Sequence, residues 1–204
     1  MNFSLAAHRF VAPTLALSLV FVVYGLITVF WQRPTLDFAA VLMSIYFLCM
    51  GGASFLNSRA ASTVAYEGDS RRADASLQDA PVGVNIGSVG QLWRSLAMIQ
   101  LAGGVLLLVV PHTELWMTLI GSIILGLTGV ALLLMGLRVK NVLPTDKDWR
   151  IAGFVTVMSA LGLTVLSDLG AKAMLGVTAG GALIAGIFMV IGAISLRGQS
   201  KNHR

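Results

Sequence analysis

The chain has 204 residues, of which 56% are hydrophobic and 11% charged, with a formal net charge of +5 and a mean hydropathy of +0.84. Soluble domains carry roughly 25% charged residues, so this composition excludes an ordinary water-soluble enzyme or binding module and points to an integral membrane protein. The positive charge does not indicate nucleic acid, because the basic residues are spread over separate loops and form no stripe with interleaved aromatics.

The first apolar run, Val11 to Trp31, is close to the roughly 20 residues that cross a hydrocarbon core at 1.5 Å each. Arg9 precedes it as in a secretory signal. The run exceeds the roughly 7 to 15 residues of a signal core, however, and Trp31-Gln32-Arg33-Pro34 offers no small-residue cleavage site, so the segment is expected to stay as an anchor. After a short turn comes a second run, Leu36 to Leu56. Thr35 is placed to accept from the first free N–H groups of that helix, and Asp37 falls in its first turn, where the macrodipole favours a negative charge. The single cysteine, Cys49, lies in this run and excludes an internal disulfide.

From about Asn57 to Leu92 the chain shows no apolar period and contains Gly68, Asp69, Arg71, Arg72, Pro81 and Gly83, so a flexible cytoplasmic loop over 57–92 is predicted. Its glycines match no phosphate-binding or dinucleotide pattern, because no strand precedes them and no GK[ST] follows. The third and fourth runs are Trp93 to Pro111 and Leu115 to Leu137, joined by His112, Thr113 and Glu114, which repeat the capping signal of the first turn. The fifth and sixth, Ile151 to Ser167 and Lys172 to Leu196, meet at Asp168-Leu169-Gly170. Trp93-Arg94 and Trp149-Arg150 are read as interfacial pairs, an aromatic beside a cation for the headgroups.

The predicted fold is therefore all-α, a polytopic membrane protein with six transmembrane helices in one domain, 1–204. The helices form three repeated helical hairpins, 11–56, 93–137 and 149–196. Gly25, Thr35, Ser44 and Gly51 of the first copy fall on Gly103, Thr113, Ser122 and Gly129 of the second without a gap. The third is more diverged and has a shorter turn. Of the 14 Lys and Arg residues, all but Arg33 and Lys172 fall on the side of the two termini, which by the positive-inside rule places both termini in the cytoplasm.

Between the turns no span contains Asp, Glu, Lys, Arg or His, although pumps, ion-coupled transporters and intramembrane hydrolases usually place ionisable groups there. His8, His112 and His203 are far apart and give no metal-ligand spacing. No catalytic, cofactor or metal site is expected. Gln100 is the most polar mid-span side chain and needs interhelical partners in a medium without water. The small pairs Ser122 with Gly126, Gly176 with Gly180 and Ala182 with Gly186 are four apart, and are expected to pack helices closely or to form a seam with a second copy. Each outer turn carries one carboxylate and one basic group: Asp37 with Arg33, Glu114 with His112, and Asp168 with Lys172. These carboxylates are candidate acid-titrating sites whose pairing breaks near their usual pKa of about 4, or else simple helix caps.

Three hairpins with glycine late in each first helix, an outer turn written Trp31-Gln32-Arg33-Pro34-Thr35-Leu36, and small residues at Gly51-Gly52 near the end of the second helix together resemble the bacterial HdeD-type acid-resistance membrane protein family over nearly the whole chain. The resemblance implies a multi-pass protein of the bacterial cytoplasmic membrane that supports survival of acid or envelope stress, without catalytic residues. Alternatives from the residues themselves are a small transporter or channel, or a membrane scaffold. The expected partners are the lipid bilayer and a second copy or another membrane protein.

Overall fold

The computed structural model describes residues 3–31, 33–74, 86–140 and 145–201. It comprises six helices: α1 (Phe3–Phe30), α2 (Leu36–Asp74), α3 (Ile86–Val109), α4 (Glu114–Arg138), α5 (Asp146–Val165) and α6 (Ala171–Lys201), with a short 3-10 turn, Ser167–Leu169, before α6. Five of them are long and apolar enough to cross a membrane. The sixth, α5, opens on a charged first turn containing Asp146 and Asp148, which shortens its apolar part.

The turns form for local reasons. The Phe38 amide donates to Thr35 Oγ1 at 3.2 Å and the Trp116 amide to Thr113 Oγ1 at 3.4 Å, so each threonine satisfies a free N–H at a helix start. The third turn has no threonine cap. It closes through the 3-10 turn and Gly170, whose φ of 83° a side chain would resist.

The predicted loop over 57–92 needs correction. α2 continues to Asp74 and α3 begins at Ile86, leaving only 75–85 of that stretch outside the described residues. Asn57, Ser58, Ala61 and Val64 are buried. A Cβ added to Gly90 of α3 would meet Ala61 Cβ at 3.2 Å. This contact surface is built from small and polar residues, so it shows no apolar period even though it is helical.

The helices close into a ring in chain order, with α6 returning to pack on α1. Packing is closest between α2 and α3, α4 and α5, and α1 and α6. The tight pairs therefore join the second helix of one hairpin to the first helix of the next. The reason is steric. A Cβ on Gly51 would lie 2.6 Å from Leu101 Cγ, and one on Gly104 2.9 Å from Leu48 Cγ, so α2 and α3 meet backbone against side chain in both directions. The same reciprocal arrangement joins α1 and α6, with Gly25 against Leu183 and Gly186 against Val22. Between α4 and α5, Gly129 lies against Val157, and Gly126 sits at ordinary van der Waals distance from Ala160. Since lipid supplies no hydrophobic drive between helices, close approach at small residues is what holds such pairs.

Of the adjacent pair in α3, Gly104 lies in the seam with α2, whereas Gly103 faces Ile124 of α4.

The seam inside the first hairpin is filled by larger groups. Tyr24 and Tyr46 stack with ring centres 4.0 Å apart, and Phe21 meets Tyr46 edge-on at 5.9 Å. Pro13 cannot donate from its backbone nitrogen, and Asn57 Nδ2 of α2 reaches over this stretch of α1 to donate to the Pro13 carbonyl at 3.2 Å and to the Ala53 carbonyl at 3.0 Å. Large side chains such as Phe47, Met50, Leu107 and Leu132 fill the interior, while Leu19, Ile45, Phe154 and Ile187 are exposed on the outside. An apolar exterior around an apolar core is the pattern of a multi-pass membrane protein.

Candidate functional site

Three polar regions stand out along the bundle. At the end carrying the helix turns, Asp37 Oδ1 accepts from His112 Nδ1 at 2.7 Å, linking the start of α2 to the turn between α3 and α4. The pairings read from sequence spacing do not form. Among the described residues Asp37 is the only one of the three outer carboxylates in an ion pair, and its partner lies in a different hairpin. Arg33 precedes the first turn of α2, so the i,i+4 helical geometry assumed for Arg33 with Asp37 does not exist.

Glu114 points instead towards the third turn, where a Cβ on Gly170 would sit 3.7 Å from its Oε1. Asp168 accepts from Ser167 Oγ at 3.4 Å within its own turn. The three carboxylates therefore remain on separate turns, and among the described residues the Asp37–His112 pair is the one between turns that carries charge.

In the middle of the bundle Gln100 is fully buried and joins three helices. Ser54 Oγ of α2 donates to Gln100 Oε1 at 2.7 Å, and Gln100 Nε2 donates to Thr128 Oγ1 of α4 at 3.1 Å. Another interhelical bond, 2.7 Å between the hydroxyls of Tyr24 and Thr178, ties α1 to α6. Other buried hydroxyls return to their own helix, as Ser44 does to the Ala40 carbonyl and Thr156 to the Ala152 carbonyl. The interior hydroxyls are mostly satisfied by carbonyls of their own helix.

At the opposite end Trp93 and Trp149 are not interfacial anchors. Both are about 1% exposed, meeting edge-on at 5.8 Å, with Phe10 edge-on to Trp149 at 6.3 Å. The neighbouring Arg94 is exposed and Arg150 half-buried, so the aromatic and the cation of each pair part company. Among the described residues neither indole N–H, nor Thr14 Oγ1, nor Asn57 Oδ1 has a hydrogen-bond partner.

Nearby, Arg150 Nη2 donates to Asp146 Oδ2 at 3.1 Å. Asp148 Oδ2 would lie 3.0 Å from a Cβ on Gly192. Burial raises the Asp148 carboxyl above its ordinary range, and the Asp146 charge adds to the shift. A raised carboxyl favours the neutral acid in the folded state, so ionisation opposes folding above the ordinary pKa of about 4 and the penalty vanishes below it. Asp148→Asn is therefore expected to raise the unfolding temperature at pH 7 and to leave it unchanged below about pH 4. Thermal melts at the two pH values check this, and a lowered melt at pH 7 would refute it.

Of the small residues singled out for packing, Gly186 and Gly126 lie in the seams described above, Ala182 is buried, and Ser122 Oγ accepts from Thr164 Oγ1 of α5 at 2.9 Å. Gly176 and Gly180 differ, since a Cβ on either would meet nothing within 4 Å. Close packing inside the protomer does not account for these two. Among the described residues no group of three or more His, Cys, Asp or Glu side chains could hold a metal ion.

Sequence reasoning missed the partner of His112, those of Gln100 and the burial of both tryptophans, because each depends on which helices become neighbours. Compared with known protein families, curated proteins and solved structures, the chain matches none.

Proposed function

We propose that this chain is a non-enzymatic, six-span protein of the bacterial cytoplasmic membrane, with both termini in the cytoplasm, that supports tolerance of acid or envelope stress. The repeat reading is supported by the glycine approaches that recur in the tight seams. The orientation is supported by the basic residues gathered at the end of the termini. The Asp37–His112 pair carries the acid reading. It lies on the face turned away from the cytoplasm in this orientation, with Asp37 83% exposed, so external protons reach it directly.

The pair joins the start of α2 to the turn between α3 and α4, so loss of either partner removes this link between the first two hairpins. An exposed pair contributes at most about 1 kcal/mol to stability, enough to bias the two turns without unfolding the bundle.

A strain lacking the protein is expected to survive a timed acid challenge poorly. The wild-type gene should restore survival, while Asp37→Asn restores it only in part. Full survival without the gene overturns the reading. Full rescue by Asp37→Asn removes the carboxylate from it.

A further inference from the structure

The seam between α1 and α2 differs from the three tight ones because no glycine lets the helices approach. Side chains hold them apart, leaving an outward-facing groove of about 220 Å³ lined by Leu19, Val23 and Ile27 of α1 and Leu42, Ile45 and Cys49 of α2, with the stacked Tyr24 and Tyr46 rings against it. Leu19 and Ile45 are more than half exposed and Cys49 is exposed, so the groove opens on the membrane side of the ring.

Position and charge identify what fills it. From Leu19 to Ile27 the groove runs about 12 Å along α1, within the roughly 15 Å depth of one leaflet of a hydrocarbon core about 30 Å thick. Further along both helices towards the turn, Trp31 stacks on Phe38 with ring centres 4.1 Å apart, an aromatic pair suited to headgroup level. Arg33 follows in the turn, exposed and without an ion pair among the described residues. The carboxylate nearest to it in sequence, Asp37, is taken by His112.

We propose that the α1–α2 groove is a binding site for a single phospholipid of the leaflet on the turn side, with one acyl chain lying against Tyr24 and Tyr46 and the phosphate held by the Arg33 guanidinium. A fixed chain of methylenes suits an apolar channel of leaflet depth, and a phosphate supplies the anion that Arg33 lacks among the described residues. The inference rests on the membrane-spanning reading and is independent of the acid-stress role, so the acid-challenge result neither supports nor harms it.

The test is native mass spectrometry of the full chain released from phosphatidylglycerol nanodiscs. Wild type is expected to retain one phospholipid. Val23→Trp, which fills the groove, should lose it, and Arg33→Gln should bind it about fivefold more weakly, the ratio that roughly 1 kcal/mol gives. Cys49→Phe, at an exposed position in the same groove, provides a second block should Val23→Trp fail to reach the wild-type melting temperature. Equal retention by wild type and by a folded groove-filling variant overturns the site. Loss on filling the groove with no change in Arg33→Gln overturns it as a phospholipid site, because a chain would then be held without its headgroup.

Discussion

Leucine in place of Gly129 is expected to disrupt the bundle severely. A Cβ at this position would come within 2.7 Å of the Gly153 carbonyl oxygen and within 2.7 Å of the Val157 backbone nitrogen. Backbone atoms cannot swing aside as the end of a side chain can, so α4 and α5 would have to separate along the whole seam. Overpacking a well-filled interior costs about 1 to 3 kcal/mol, and a backbone-on-backbone clash belongs at or beyond the upper end.

Membrane helices gain nothing from hiding apolar surface from one another, so dispersion attraction forfeited in the seam is not recovered elsewhere. Thermal unfolding in detergent followed by size-exclusion chromatography reads the effect, with a large drop in melting temperature or disappearance of the monodisperse peak expected. Gly176→Leu and Gly180→Leu are the matched controls. Their open surroundings predict small changes, since leucine is also the better helix former. Similar damage at all three positions would refute the seam argument.

The second large effect is expected at Gln100. Gln100→Leu keeps approximate size and apolar packing but removes both hydrogen bonds that connect α2, α3 and α4. Interhelical hydrogen bonds in membranes contribute about 0.6 to 1.7 kcal/mol each. The substitution should therefore destabilise the bundle by about 1 to 3 kcal/mol. Ser54 and Thr128 are left without their interhelical partner and can recover part of the difference by bonding back to their own helices.

A double-mutant cycle separates this from a simple packing change. Thr128→Val is expected to cost stability in the wild type and almost nothing in Gln100→Leu, because the bond it breaks is already absent. Full additivity of the two substitutions would show that the amide and the hydroxyl do not act together.

These two positions differ in how much of them can be read along the chain. Gln100 is legible as a polar group in need of partners, because an amide in hydrocarbon must be satisfied wherever it lies. Which partners it takes is not, since Ser54 and Thr128 become neighbours only when α2 and α4 flank α3. Gly129 is visible as part of a spaced pattern, and its opposing surface on α5 is not. The same division holds at the turns: the Thr35 and Thr113 caps depend on residues three apart, whereas Asp37 and His112 are 75 residues apart, and the nearby basic residue was the wrong partner.

Membrane class, approximate spans, turn positions and the absence of charge from the middle of the spans all follow from the order of residues alone. Those properties rest on hydropathy over about 20 residues and on capping within one turn, and both are local. Only the folded bundle reveals that the tight pairs run between hairpins, that α2 extends through Asp74, that both tryptophans turn inward, and that the first hairpin is left with an open groove. Each of these is set by whether two distant surfaces are small enough to approach, and steric fit between helices leaves no trace in the periodicity of either one by itself.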